Sequence, residues 1–251
     1  MKERILLMGP PGSGKSHQIL QVAFFLKDYG IPMYVMDLED KLEAMLLGLG
    51  APENLILYST FDWDANPTKD YPGGVKQVVE TILGKVKPGD WIGVDRADLM
   101  WSMVQRWFTQ KKYEEELAEL MMKKSLQMKK SSMFIPRFDQ GSWQVINEQY
   151  ENQIISILYK SRCNIILTSG IRGISEENPM DIGRLGVLPR GQKELGHQPH
   201  SLFLLGQEKK GRDRIWLITT DKDLTGREYF EREPLYDFSL QYLGLYYSPK
   251  K

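Results

Sequence analysis

Residues 9–16 read Gly-Pro-Pro-Gly-Ser-Gly-Lys-Ser, which fits the spacing G-x-x-x-x-G-K-[ST]. This spacing constrains the fold because it is a phosphate-binding loop only when a strand delivers the chain into it and a helix leads out. Both are written beside it. The apolar run Ile5-Leu6-Leu7-Met8 enters, and a helical stretch from Ser16 to Lys27 leaves. Gly9, Gly12 and Gly14, with Pro10, Pro11 and Ser13 between them, let the backbone wrap closely around phosphate oxygens. The loop amides and the start of the next helix, where His17 sits, then point at the anion. Lys15 would reach the β- and γ-phosphates, and the Ser16 hydroxyl would ligate Mg²⁺.

Beyond the loop the chain alternates. Strand-like runs at Ile5–Met8, Met33–Met36, Trp91–Val94 and Asn164–Leu167 are separated by helical patterns at about 16–29, 39–49, 74–86 and 143–160. Such alternation predicts an α/β fold, a mostly parallel sheet with helices on both faces. Two further runs, Ser201–Leu205 and Arg214–Thr220, flank a polar and glycine stretch and predict a C-terminal hairpin at the sheet edge. The 251 residues suit one domain spanning 1–251, with a helical basic insertion at about 101–142 and a long loop at about 170–200. Lys111–Lys130 reads as a polar helix, and from Arg106 to Arg137 eight basic residues face four acidic ones. Such a run is either a solvated surface or a nucleic-acid contact.

Composition removes several classes of function. Lys+Arg and Asp+Glu both count 33, so attraction to nucleic acid must come from a local patch. The single cysteine, Cys163, excludes an intramolecular disulfide and a cysteine-only zinc site. His17, His197 and His200 are too scattered for a metal cluster. No apolar span reaches the roughly 18 residues of a membrane helix, and no signal peptide is visible. The expectation is a soluble, cytoplasmic protein, in a host cytoplasm if viral, without a membrane partner.

Hydrolysis of a nucleotide needs carboxylates as well as a loop. Trp91-Ile92-Gly93-Val94-Asp95 is a strand ending in aspartate. Asp95 would sit beside Ser16 and hold Mg²⁺, although strand-end aspartates also serve turns and helix caps. Arg96 follows, where many such ATPases carry a water-activating glutamate, and it cannot act as a base. The other place for a base is Met33-Tyr34-Val35-Met36-Asp37-Leu38-Glu39. Glu39 is the first choice and Asp37 the second, against the alternative that both cap the next helix.

With these residues in view, the chain resembles the RecA-type recombinase core of P-loop ATPases. Asp-Leu-Glu at 37–39, Leu42, Leu49-Gly50 and Glu53-Asn54-Leu55 carry the likeness, with Asp-Arg-Ala-Asp-Leu at 95–99. Asn164–Ser169 leading to Ile171-Arg172 resembles the fourth core strand and the DNA-binding loop beyond it. Thr219-Thr220-Asp221-Lys222 resembles the strand whose lysines contact phosphate across a subunit interface. Gly141–Tyr150 and Gly191-Gln192-Lys193, with His197 and His200, look like small phage-type RecA-like ATPases linked to single-strand annealing. The resemblance implies Glu39 as catalytic glutamate, Asp95 as metal residue, and ATP and Mg²⁺ as ligands. It also implies Thr168 or Ser169 as γ-phosphate sensor, where the recombinases use an amide. It implies a DNA-acting homo-oligomer. Only residues 1–4 precede the first strand, so the segment by which RecA protomers polymerise has no counterpart.

The favoured reading is therefore a RecA-like ATPase acting on single-stranded DNA, in recombination, annealing or repair. Arg172, Arg184, Arg190 and Lys193 would meet the DNA backbone. One of these, or Lys222 or Arg227, would serve as a finger entering a neighbour's site. An adenylate-kinase-like phosphotransferase is the first alternative, since Met8–Ser16 with His17-Gln18 also resembles the start of such enzymes. A nucleotide-dependent switch is the second, with Trp101, Trp107, Phe108 and Phe134 as a partner surface. Guanine specificity is disfavoured because Lys222 is followed by Asp223-Leu224 rather than a base-reading motif.

Overall fold

The entering run is apolar on both sides because both sides are covered. In the computed structural model, which describes residues 2–59, 71–130, 138–174, 185–211 and 213–244, Leu6 and Met8 pack into one core and Ile5 and Leu7 into another. Side chains alternate along a strand, so a strand buried on both faces reads as unbroken hydrophobicity. This strand is β1 (Arg4–Met8), and α1 (Lys15–Lys27) follows the loop. Next come β2 (Met33–Asp37), α2 (Leu42–Leu49), β3 (Leu55–Ser59), α3 (Tyr71–Lys85), β4 (Trp91–Asp95) and α4 (Ala97–Tyr113). Then α5 (Leu117–Lys130), α6 (Gln140–Ile155), β5 (Asn164–Ser169), β6 (Ile171–Gly173) and β7 (Val187–Pro189) lead to β8 (Ser201–Lys210), β9 (Asp213–Asp223) and β10 (Glu233–Pro234).

The main sheet runs β10-β9-β8-β1-β5-β4-β2-β3. From β3 to β8 every pairing is parallel, and β9 and β10 add an antiparallel edge. One face carries α3, α4 and α6; the other carries α1 and α2, closed by the turn Ser239–Leu243 with Phe238 and Tyr242. This is the α/β architecture with an edge hairpin that the alternation predicts. The hairpin is longer than its apolar runs, with β8 and β9 spanning ten and eleven residues.

Several sequence expectations need correction. Leu55–Ser59, outside the strand-like runs, is a strand at the sheet edge, half-buried for most of its length. The second helix begins at Leu42, not 39, because Asp40 adopts φ 55° and a helix cannot continue through it. The last helix runs Gln140–Ile155 and widens into a π turn at Ser156–Lys160. Lys111–Lys130 is not one helix, since Glu114 at φ 54° ends α4 and α5 starts anew. The stretch 101–142 is shared by α4, α5 and the start of α6. Met100, Met103, Val104 and Phe108 of α4 are buried in the core, while Trp101 and Trp107 pack partly buried against it. Phe134 lies outside the described residues. The loop expected over 170–200 contains the β6–β7 ribbon and a tight turn at Lys193–Gly196.

Register decides what meets at the sheet's C-terminal edge. Asp37 lies opposite Asp95, Leu7 opposite Thr168, and Met8 opposite Ser169. Four strands therefore end side by side where the loop begins. Open α/β sheets bind ligands at such an edge.

Candidate functional site: a phosphate loop with a carboxylate and cation cluster

The loop is shaped by close approach. A Cβ on Gly9 would lie 2.3 Å from the Leu205 carbonyl oxygen of β8, so only glycine fits there. Gly14 sits at φ 88° as the residue before α1, and no side chain caps that helix. The first amides of α1 thus have no side-chain cap and its first turn holds no acidic residue, an arrangement that suits an anion. Lys15 curls over the loop, its Nζ donating to the carbonyls of Gly9 (2.9 Å) and Pro10 (2.8 Å) and to Ser13 Oγ (3.3 Å). Burial lowers the Lys15 pKa, and the neighbouring Arg96 charge lowers it further. Pro10 and Pro11 form the outer bend, and His17 Nε2 meets Gln21 Nε2 at 2.9 Å on the outer turn of α1.

Asp95 is fully buried. Its Oδ1 accepts from Thr168 Oγ1 at 2.5 Å, and Thr168 in turn accepts from the Arg96 amide at 2.7 Å. Burial raises its pKa, opposed by the Thr168 and Ser16 hydroxyls. Ser16 thus lies against the carboxylate, yet Oδ2 is buried without a well-formed hydrogen bond among the described residues. An acid oxygen in that condition beside a serine hydroxyl suits a hard cation, which would favour the ionised form that burial disfavours. Ser16 and Asp95 are the residues that would hold Mg²⁺, with phosphate oxygens and water as the remaining ligands. The described residues contain no cluster of His, Cys, Asp and Glu that would bind a metal unaided.

The two candidate bases separate by partner. Asp37 is 1% exposed and accepts from the amides of Glu39 (3.0 Å), Lys41 (2.7 Å) and Leu42 (2.7 Å), so it caps α2. Glu39 caps nothing. Its Oε1 accepts from Arg96 Nη1 at 2.6 Å and its Oε2 from Lys41 Nζ at 2.7 Å. Arg96, at φ 69°, also holds Asp98 through Nε (2.9 Å) and Nη2 (3.0 Å), and that contact raises the guanidinium pKa.

Lys15, Ser16, Glu39, Lys41 and Arg96 line a cavity of about 560 Å³. Met45, Trp216, Leu235 and Tyr236 line it as well, with His17 and Gln18. Trp216 Nε1 donates to the Gly12 carbonyl at 3.3 Å, tying the edge hairpin to the loop. The lining therefore combines cations that suit phosphates with aromatic side chains that suit a flat ring. Sequence reading missed Arg96 as a site residue, and Trp216 and Tyr236 altogether.

Of the other candidates, Ser169 stands beside the loop, its carbonyl accepting from the Gly9 amide at 3.2 Å. Ser169 Oγ donates to the carbonyls of Gly170 (2.8 Å) and Arg190 (2.9 Å), pinning the β6–β7 ribbon to the end of β5. Lys222 donates to Gly196 and His197 carbonyls, each at 3.2 Å, and burial lowers its pKa. It pairs with Leu202 near the start of β8, away from the loop. Arg227 is inside, ion-paired with Glu3. Arg172 is half-buried on the ribbon, Arg190 and Lys193 are exposed just beyond it, and Arg184 lies outside the described residues.

No family model matches the chain, and no curated protein does. Among solved structures it is similar to a KaiC-like protein from the hyperthermophilic archaeon Pyrococcus horikoshii OT3, at a TM-score of 0.50 and 14% identity. The match covers 92% of this chain and 84% of that one. The likeness is one of fold, a RecA-like α/β core with a mostly parallel sheet. Among the described residues, no helix is long and apolar enough to cross a membrane.

Proposed function

We propose that this chain is an ATPase that takes ATP with Mg²⁺ at the mouth of β1 and hydrolyses it with Glu39 as the base. The observation that carries this reading is convergence: Lys15, Ser16, Glu39 and Arg96, from three separated chain segments, line one cavity. The loop amides and the uncapped start of α1 receive the phosphates. Lys15 exchanges backbone carbonyls for β- and γ-phosphate oxygens. Ser16 and Asp95 would hold Mg²⁺, which would supply positive charge where the phosphate oxygens gain negative charge. Glu39 takes a proton from water, whose oxygen bonds to the γ-phosphorus as the bond to the bridging oxygen breaks. ADP and phosphate leave. Thr168 holds Asp95 and the Arg96 amide in register, so it links the metal residue to the cation beside it.

The partner in this reading is single-stranded DNA, and the work is of the recombination, annealing or repair kind, carried out by a homo-oligomer. Arg172, Arg190 and Lys193 support it, because they lie on or just beyond a ribbon that leaves β5 one residue after Ser169. Phosphate contacts of that kind position a strand without reading its sequence. The test measures MgATP binding by calorimetry and phosphate release with and without single-stranded DNA at low salt, for the wild type and Glu39→Gln. The wild type should bind and hydrolyse ATP and turn over faster with DNA. The variant should retain MgATP binding, no weaker than the wild type, and lose about 100-fold or more in turnover. Absence of MgATP binding to folded protein ends the whole reading. Absence of DNA binding at low salt, where phosphate contacts are strongest, ends the DNA half alone.

A further inference from the structure

Arg96 stands where a base was sought and is instead the best-positioned cation in the cavity that no role yet uses. Its backbone is fixed: the amide donates to Thr168 Oγ1, and φ is 69°, a conformation an L-residue adopts at a cost. Its side chain is held from one side. Asp98, whose side chain is 2% exposed, takes Nε and Nη2 in a two-pronged grip. That leaves Nη1 as the outward corner, and Glu39 fills it at 2.6 Å. The two grips are unequal. Glu39 and the guanidinium are each 19% exposed and meet through one pair of atoms, whereas Asp98 is buried and meets it through two. A single contact at a wetter site is the weaker. The remaining partner of Glu39, Lys41, is 61% exposed and exchanges readily with water.

The guanidinium lines the same cavity as the Lys15 ammonium. Glu39 and Asp98, ion-paired to the guanidinium, offset the positive charge gathered there. A terminal phosphate entering beside Lys15 brings more negative charge than a carboxylate and more oxygens. It competes directly with Glu39 for the outward corner of Arg96, because Asp98 keeps the other side occupied.

We propose that Arg96 is a phosphate-contacting cation supplied by the chain itself, which trades Glu39 for the terminal phosphate of ATP. The exchange releases Glu39 at the moment a triphosphate is in place, and a diphosphate leaves the Glu39–Arg96 pair intact. The base is thus withheld until its substrate has arrived, and the site distinguishes ATP from ADP through one side chain. This inference rests on the ATPase reading above and is separable from it by experiment.

The test measures dissociation constants for ATPγS and for ADP, by displacement of a fluorescent ADP analogue, with and without Mg²⁺. The variants are Arg96→Asn and Glu39→Gln, with the double variant beside them. Asparagine tolerates positive φ, so it removes the charge while keeping the backbone, and a melting curve verifies the fold. Arg96→Asn should weaken ATPγS by about 10-fold or more and move ADP by less than about twofold, on the scale of a lost charged contact. Glu39→Gln removes the competitor, so it should tighten ATPγS several-fold and leave ADP unchanged. That gain should vanish in the double variant. An unchanged ratio of ATPγS to ADP affinity in folded Arg96→Asn, or in Glu39→Gln should the first variant not fold, overturns the proposal. If the wild type binds neither nucleotide, the ATPase reading itself fails, and this inference with it.

Discussion

Two acidic residues with one leucine between them do opposite jobs because of what they touch. Asp37 accepts three backbone amides at the head of α2 and is buried, so its removal leaves those amides without partners. Asp37→Ala should cost about 2 kcal/mol and lower the melting midpoint by roughly 4–8 °C for a chain of this size. Glu39→Gln should shift the midpoint less, since Glu39 caps no helix amide and glutamine keeps an oxygen that accepts from Arg96 or Lys41. Thermal denaturation followed by circular dichroism checks both, and a loss confined to the Glu39 variant would reverse the two roles. The sequence shows the pair of carboxylates at a strand end, but not which one caps. That depends on where α2 begins, five residues after Asp37, and on Asp40 turning the chain first. Arg96 was legible as a residue that cannot be a base. Its partner Glu39 lies 57 residues back, and its positive φ leaves no mark on a sequence. Trp216 reaches the loop from 204 residues away, a contact that only sheet topology creates.

At the scale of elements, α6 packs on α4 through Trp101 against Trp143 and Tyr150, and an exposed carboxylate, Asp139, ties its start to the end of α4. Asp139 Oδ1 accepts from the Ser142 amide (2.7 Å) and hydroxyl (2.9 Å), and Oδ2 accepts from Lys112 Nζ (2.9 Å) in the last turn of α4. The Lys112 bond, then those from Ser142, hold its carboxyl well below the usual aspartate range. A depressed folded-state pKa contributes stability that is fully present above the unfolded value, about 4, and is lost as pH falls through the folded value. Asp139→Ala should therefore melt earlier at pH 7, and the gap from wild type should close as pH drops from about 4 toward 2. Melting curves of both proteins across that range test it, and a gap independent of pH would remove the carboxylate as the cause. The same scale explains which elements could be read. β1, β2, β4 and β5 are buried on both faces and read as apolar runs. β3 is an edge strand of five residues, and a run that short does not by itself separate strand from helix. β6 and β7 are three residues each and exist because Ser169 and the Arg190 amide pin them to the end of β5, which no local pattern encodes.

Over the whole molecule, the site and the core share one sheet, so gripping a ligand at one edge should steady the other. The only cysteine reports on this. Cys163 lies just before β5, which pairs with β1 and β4 and runs from there to the site at Ser169. It is 2% exposed, its thiol donates to the Lys87 carbonyl at 3.3 Å, and burial pushes its pKa up to about 11. A thiol reagent at pH 8 thus meets a covered and protonated group, and reaction requires the chain to open. Two extents of opening are conceivable. If the entry end of β5 frays alone, labelling proceeds at the same rate whether or not nucleotide fills the mouth. If exposure of Cys163 requires the sheet to come apart, a ligand that binds only the folded state suppresses it. At a ligand concentration 100 times its dissociation constant the stabilisation is about 2.7 kcal/mol. That corresponds to labelling slowed about 100-fold where reclosing outruns reaction. The central place of β5, between β4 and β1 and inside both hydrophobic layers, favours the second. Labelling rates in moderate urea, with and without Mg²⁺ and ATPγS, should show that slowing in the wild type and none in Lys15→Ala. Equal rates with and without nucleotide, in protein that binds it, would mean that the two edges of the sheet open independently.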